Sequence, residues 1–363
     1  MAAKYKIPYL PLPIDLESKD ILKKVAEARA ALAELKGTHA TVPNVGILLS
    51  TLALQEAKDS SAIENIITTH DELFKAELNL GLIQNLAAKE VQRYSFALRK
   101  GFELIKDNKI ITNTIILEIH KELEQNNAGY RKVPGTDLKN ERTGEVIYTP
   151  PQSLTEIQSY MSNLIDYIND DSIDDSDYLI KLAIIHHQFE SIHPFYDGNG
   201  RLGRIINILY LICKGLLDYP TLYLSRFIIQ NKEEYYLLLQ QVRDEESWNQ
   251  WIHYILDAVI SVSKQSTELI KEIKQLMMHY KSVIRTNYKF YSQDLINNIF
   301  KHPYTKIEFL QGDLNISRQT AAKYLDTIAE DKNNLLSKVK IGRDNFYVNN
   351  GLMKLFTQYN YKL

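Results

Sequence analysis

Cysteine is almost missing from this chain: Cys213 stands alone among 363 residues. No disulfide framework can form within it, and a reducing cytoplasm is the expected setting. Clusters of cysteine or histidine with metal-ligand spacing are missing too. The adjacent His186 and His187 are expected to pack or hydrogen-bond inside the fold. Charge of one sign is also lacking, with 43 Lys and Arg against 45 Asp and Glu. A net charge of −2 gives no global drive towards nucleic acid. There is no secretory start and no apolar run long enough for a membrane helix, so no membrane partner is expected. Repeats and low-complexity tracts are absent, and the acidic patch from Asp170 to Asp177 reads as a solvated loop or helix start.

What is present is a large apolar inventory. Hydrophobic residues make up 45% of the chain, enough for a sizeable core plus at least one accessory domain. Most segments have helical spacing, with Val25, Ala28, Leu32 and Leu35 on one stripe and Ile116, Ile119 and Leu123 on another. The fold class expected is mainly α.

The richest stretch is residues 193–204, His-Pro-Phe-Tyr-Asp-Gly-Asn-Gly-Arg-Leu-Gly-Arg. The apolar run after Arg201 predicts a buried helix, which puts Asp197-Gly198-Asn199-Gly200 at its N-terminus. Free N–H groups and the positive dipole end favour an anion there. Gly198 and Gly200 let the backbone turn tightly and approach a ligand. Arg201 and Arg204, at i and i+3, share one helix face and reach neighbouring phosphate oxygens. Asp197 offers a hard oxygen to Mg²⁺, which takes one or two carboxylates plus substrate phosphates. His193 is the natural acceptor for a hydroxyl proton near neutral pH. Phe195 reads as the apolar anchor of the loop. An EF-hand is excluded, because its alternating oxygen ligands and closing Glu are missing. Taken singly, each piece has a bland structural reading; their fixed order points to a polyphosphate site.

This run resembles the core motif of Fic-domain proteins, His-x-Phe-x-(Asp/Glu)-Gly-Asn-Gly-Arg-x-x-Arg, with every specified position filled. The resemblance implies transfer of AMP from ATP to a Ser, Thr or Tyr hydroxyl of a target protein. His193 would be the base for that hydroxyl, and Asp197 would hold Mg²⁺ against the α- and β-phosphates. Asn199 and the backbone of Gly198 and Gly200 would line the anion hole. Arg201 would grip the phosphates, Arg204 would reach the γ-phosphate, and Leu202 and Gly203 complete the nucleotide-binding run.

Upstream, Ser60-Ser61-Ala62-Ile63-Glu64-Asn65 suits a helix with Ser60 and Glu64 stacked at i and i+4. It resembles the family's inhibitory helix, (Ser/Thr)-x-x-x-Glu-(Gly/Asn), whose Glu pairs with the second arginine of the core motif. The implication is self-inhibition through Glu64 and Arg204, of the class whose inhibitory segment precedes the core. Residues 129–151 break the helical pattern and resemble the family's flap, a β-hairpin whose edge aligns the target segment by strand pairing. Asp137, Lys139, Glu141 and Arg142 make it unusually charged for such an edge. Asn231 is expected to cap the following helix; the resemblance sets its segment beside the adenosine.

Near the end, 309–325 reads as helix, turn and a second helix capped by Ser317. Val339 to Val348, with Gly342-Arg343-Asp344-Asn345 at the tip, reads as a hairpin. Together they resemble a winged helix. Arg318, Lys323 and Arg343 suit phosphates, but Asp326, Glu330, Asp331 and Asp344 dilute any basic face. A protein-interaction role is favoured over DNA binding. The expected partition is an N-terminal helical region over 1–105 with the inhibitory helix near 50–68, and a Fic core over 106–262 with flap 131–151. A linking helix over 263–285 and a winged-helix-like domain over 286–363 follow. The partners implied are ATP and target proteins, the chain itself included, and relatives of this kind are often dimeric. Removal of AMP from the same target is the alternative within the fold; a nucleotide-sensing, DNA-binding regulator is the alternative from another class.

Overall fold

The computed structural model describes residues 5–42, 44–69, 72–73, 85–139, 143–341 and 344–358. Helices α1 (Lys19–His39), α2 (Val45–Ile63), α3 (Leu86–Ile105) and α4 (Asn113–Glu124) lead to a short hairpin, β1 (Leu138–Lys139) and β2 (Val146–Tyr148). Helices α5 (Leu154–Asn169), α6 (Tyr178–Ile192), α7 (Asn199–Cys213), α8 (Leu224–Gln230), α9 (Lys232–Glu245) and α10 (Trp248–Asn287) complete a helical body. The last section holds α11 (Gln293–Lys301), β3 (Tyr304–Lys306), α12 (Ile307–Leu314), α13 (Arg318–Ala329), β4 (Leu336–Ile341), β5 (Asp344–Asn349) and α14 (Asn350–Gln358). The fold is mainly α, as the helical spacing predicts. None of the described helices is long and apolar enough to cross a membrane.

The centre of the body is the pair α6 and α7. Every residue of α6 from Leu179 to Ile192 is buried, because the run carries no polar stripe to turn outward. Asp177 starts the helix by accepting from the Leu179 N–H at 2.8 Å. Pro194 cannot supply the N–H that would continue it, and His193 ends it in the left-handed region at φ 47°. The chain then reverses and α7 packs back against α6. His186 and His187 are core residues, as expected: Nε2 of His186 bonds the Tyr235 hydroxyl at 2.9 Å, and Nε2 of His187 the Leu239 carbonyl at 3.2 Å. Burial, aided by the Arg204 charge, pushes His186 down to about 3, so its ring is neutral.

Helix α2 packs on α3 and α8 and touches α7. It differs from the expected span near 50–68, starting earlier at Val45 behind an Asn44 cap and stopping at Ile63. The stop is conformational: Asn65 adopts φ 61°, which a helix cannot contain. Glu64 is therefore the residue that ends the helix, one turn past Ser60.

Glu56, two turns before Glu64, is buried and accepts from the Tyr94 hydroxyl at 2.8 Å and from the Ser225 hydroxyl, fastening α2 to α3 and α8. Burial pushes its carboxyl up to about 8, although both hydroxyls and the nearby Arg204 charge pull the other way. The folded protein thus holds a proton that the unfolded chain releases near 4.5. This stabilisation is complete below that value and is lost as pH rises through about 8. Glu56→Gln mimics the protonated acid. Its melting temperature is expected to fall less than that of the parent between pH 5 and 8, where the parent loses about 1 kcal/mol per pH unit. Parallel declines in the two proteins would refute the buried proton.

The expected linking helix at 263–285 is the second half of α10, a 40-residue helix that begins inside the body. No Gly or Pro interrupts residues 248–287, so nothing ends it earlier. Trp251 ties its first turns to α6 by donating to the Ala183 carbonyl at 2.8 Å. The terminal section has the strand order β3-β5-β4, all antiparallel, with α12 and α13 packed together. Ser317 caps α13 by accepting from the Thr320 N–H at 3.1 Å, as the sequence predicts. Arg318 pairs with Glu308, and Lys338 with Asp326 at 2.7 Å. Gly342 and Arg343, singled out at the hairpin tip, lie outside the described residues.

Candidate active site

The loop between α6 and α7 is built to hold one shape. Phe195 is fully buried and stacks on the His120 ring, with centroids 3.7 Å apart, while Tyr130 packs on it from 5.1 Å. The anchor role read from its residue type is the role it has. The Asn199 carboxamide closes the loop on itself: Oδ1 accepts from the Phe195 N–H and Nδ2 donates to the Phe195 carbonyl, both at 2.9 Å. Its side chain is thus engaged within the loop, leaving only the backbone N–H of 199 for a ligand. Nε2 of His120 bonds the Asp197 carbonyl at 3.1 Å.

Helix α7 begins at Gly198, whose φ of 75° suits glycine, and no side chain caps its first N–H groups. Above that bare terminus Asp197 is 81% exposed, one carboxylate oxygen taking the Gly198 N–H at 2.7 Å. Among the described residues no three His, Cys, Asp or Glu gather into a metal cage. One exposed carboxylate fits an ion that takes its remaining ligands from phosphates and water, as Mg²⁺ does.

The two arginines of the motif are buried, which excludes the bland reading of a solvated pair. Arg201 meets Glu124 at 3.0 Å, Glu90 at 3.4 Å and Asp197 at 3.8 Å. Arg204, 2% exposed, donates from Nε to the Ser60 hydroxyl at 2.8 Å. Its Nη2 donates to the Ser60 carbonyl at 2.9 Å and to the Glu64 carboxylate at 2.8 Å. Burial pushes Glu64 up, but the Arg204 charge and hydrogen bond, with Arg201 and Lys232 beyond, hold its carboxyl below the usual range. Burial opposes the Arg204 cation, but Glu64, with Tyr235, Glu190 and Tyr94 beyond it, together outweighs burial, so its pKa is raised. The Glu64 carboxylate also occupies the place where a Cβ on residue 200 would stand. Asn65 accepts from Lys232 at 3.1 Å. Leu202 is buried in the core, and Gly203 lets Glu190 and Phe189 of α6 approach α7.

His193 stands half-buried at the end of α6 with Nδ1 sealed from solvent on the side of the Glu190 carbonyl. Burial, then the Arg131 and Arg243 charges, push its ring down to about 4. It is neutral at physiological pH, as a base must be. Glu190, one turn earlier, is buried with no partner for Oε1, and burial pushes it up to about 7 against the pull of Arg204.

Asn231 departs from its expectation. It makes no side-chain cap to α9; Nδ2 donates backwards to the Phe227 carbonyl at 2.9 Å and so closes α8. With φ −121° and ψ 38° the side chain points to the preceding turn, away from the N–H groups it was expected to cap.

The flap forms. Leu138 pairs with Tyr148 and Lys139 with Val146, antiparallel, with Val146 and Ile147 exposed on it. Glu141 and Arg142 lie outside the described residues. Its roots reach the His193 loop through residues that no motif marks. Arg131, 1% exposed, donates from Nε to the His193 carbonyl at 2.8 Å and from Nη2 to that of Ile192 at 3.4 Å. Its own N–H bonds the Pro194 carbonyl at 2.9 Å. The Tyr148 hydroxyl takes the Ser191 carbonyl at 2.9 Å, and the Arg243 guanidinium lies 4.1 Å over the Tyr148 ring. These contacts span from 43 to 95 residues of chain, so no local pattern announces them.

Comparison with known proteins agrees with this geometry. Residues 22–103 match the family described as Fic/DOC family N-terminal, and residues 110–211 the Fic/DOC family itself. Residues 276–352 match the C-terminal domain described as protein adenylyltransferase SoFic-like. A probable protein adenylyltransferase of Aquifex aeolicus, aq_aa38, is 29% identical over 204 residues, covering 54% of this chain and 57% of that protein. Protein adenylyltransferase fic-1 of Caenorhabditis elegans is 28% identical over 138 residues, 38% of this chain and 25% of that one. The chain therefore spans between a quarter and just over half of the length of these relatives. In three dimensions a Fic family protein from Desulfovibrio desulfuricans G20 superposes with a TM-score of 0.57 at 20% identity, covering 96% of this chain and 99% of its own. Fic-1 of C. elegans gives 0.54 at 19% identity, covering 70% and 73%. On its motif, its architecture and these matches, the chain is a Fic-domain protein of the Fic/DOC family, with the family's N-terminal region ahead of the core and a SoFic-like domain behind it.

Proposed function

We propose that this chain is a protein adenylyltransferase, moving AMP from ATP to a Ser, Thr or Tyr hydroxyl of a protein target, and that it rests in a self-inhibited state. The observation that carries the reading is the 2.8 Å pairing of Glu64 with Arg204, directly beside an uncapped helix N-terminus and a neutral histidine. With Nδ1 of His193 sealed, Nε2 is the nitrogen that meets the target hydroxyl and takes its proton. The hydroxyl oxygen bonds the α-phosphorus, the bond from that phosphorus to the bridging oxygen breaks, and diphosphate leaves. Such a displacement needs positioning and charge neutralisation more than covalent help. The N–H groups opening α7 and Arg201 receive phosphate oxygens, and Arg204, once free of Glu64, receives the terminal one. Asp197 would hold Mg²⁺, which neutralises phosphate charge when bound.

Glu64 opposes this in two ways. It removes the guanidinium meant for the γ-phosphate, and it sets a carboxylate where the triphosphate must lie. The DNA-binding alternative draws little support from α13, whose Arg318 is paired with Glu308.

The reading is tested by incubating the protein with cell lysate and ATP labelled at either the α- or the γ-phosphate. Label from the α-position alone should appear on protein; label from the γ-position would mean phosphate transfer instead. Asp197→Ala is expected to lower transfer by at least about a hundredfold, since metal-ion charge stabilisation is worth several kcal/mol. Its melting temperature should stay put, because the side chain is 81% exposed. Full activity in that variant would remove Asp197 from the reaction.

A further inference from the structure

Arg131 is a buried cation with no ion-pair partner among the described residues. Among the described residues its surroundings supply burial and two tyrosine side chains and no carboxylate, and Nη1 is sealed with no hydrogen-bond partner among them. As a purely structural choice this is costly, since an apolar side chain of the same length would fill the space without a desolvated charge. The bonds it does make all go to one place. The last carbonyls of any helix lack intrahelical partners, and here the carbonyls of Ile192, His193 and Pro194 are taken by Arg131 and that of Ser191 by Tyr148. One residue precedes β1 and the other ends β2, so the two roots of the flap together cap the helix that ends at His193.

We propose that Arg131 is a positioning residue of adenylyl transfer: its planar guanidinium and its own peptide N–H grip three consecutive carbonyls and fix the His193 imidazole relative to the flap edge where a target would lie. His193 sits at φ 47°, a conformation that a non-glycine residue keeps only when its surroundings impose it. A lysine in its place retains charge but lacks the fork that spans two carbonyls. The cation acts on the imidazole as well. Burial does most to keep the ring unprotonated; of the groups facing His193, Arg131 from the flap root and Arg243 from α9 add to that, while Glu64 beyond α2 and the Glu190 carbonyl from α6 work against it.

The geometric and the electrostatic parts separate experimentally in the full chain carrying Glu64→Gly. The rates are self-labelling from α-labelled ATP, and this arm rests on the adenylyltransferase reading. Arg131→Gln and Arg131→Lys should each lower kcat by about a hundredfold, the effect of a misplacement near 1 Å, with KM for ATP within threefold. The second arm needs no turnover: the His193 imidazole is followed by NMR against pH, assigned among the nine histidines with His193→Ala. Its midpoint should rise from about 4 in Arg131→Gln and stay low in Arg131→Lys. Parental kcat in Arg131→Lys, or an unmoved midpoint in Arg131→Gln, overturns the proposal. If the Glu64→Gly parent labels nothing, the adenylyltransferase reading fails and the NMR midpoint alone judges Arg131. If Arg131→Gln does not fold, the kcat and KM of Arg131→Lys judge it instead.

Discussion

Glu64→Gly should accelerate self-labelling from α-labelled ATP by about 10- to 100-fold. The magnitude follows from what holds Arg204. Its guanidinium is 2% exposed, whereas the Glu64 side chain is 35% exposed. The pair is therefore neither a fully buried bridge, whose rupture costs several kcal/mol, nor a surface pair worth almost nothing. A charge-assisted bond in between contributes about 1–3 kcal/mol, which on the proposed reading ATP has to displace before its γ-phosphate reaches Arg204. A second reading comes from thermal melting. Without Glu64 the resting fold loses a counter-ion and melts lower, while saturating ATP raises its melting temperature more than that of the parent. Labelling no faster than the parent, with an unchanged response to ATP, would leave Glu64 as an ordinary helix-end carboxylate.

In the same background His193→Ala should lower transfer by about 10²- to 10⁴-fold, the usual contribution of a positioned base. Binding of ATP should survive, since the proposed phosphate contacts come from α7. The pH dependence carries the sharper signature. Burial and the Arg131 and Arg243 charges hold the ring near 4, so the neutral, proton-accepting form prevails above that value. The parent rate should be level from about pH 5 to 8 and fall towards tenfold per unit below 4. The residual rate of His193→Ala should lack that acid limb. His193→Asn is the control for the backbone, because asparagine tolerates the left-handed φ that ends α6. A limb that persists in both variants would assign the titration elsewhere.

The parts of this molecule legible in its sequence are the local ones. The apolar run 202–212 and the Gly-Asn-Gly turn fix a buried helix with an open N-terminus, and Ser317 marks the start of α13. Two expectations fell to conformations that spacing does not encode. Asn65 in the left-handed region ends α2 at Ile63, so Glu64 reaches Arg204 from the helix end. Asn231 bonds backwards to Phe227 because its φ and ψ turn the side chain from the helix it precedes. The α10 boundary was hidden for the opposite reason: with no breaker in 40 residues, core and linker share one helix. Arg131, Tyr148, Arg243 and Glu124 shape the site across long stretches of chain. An isolated arginine inside Gly129-Tyr130-Arg131 looks like any other flap residue until its carbonyl partners are seen.

The vacancy at Gly200 has an evolutionary corollary. The hydrogen in place of a side chain there leaves room for the Glu64 carboxylate, and the same opening borders the helix mouth proposed to receive nucleotide. On the proposed reading an alanine would crowd both occupants together, so drift at this codon would have no route that spares transfer while loosening restraint. If Glu64 restrains the site as proposed, relief is to be sought on the α2 side, where substitutions leave the mouth itself intact.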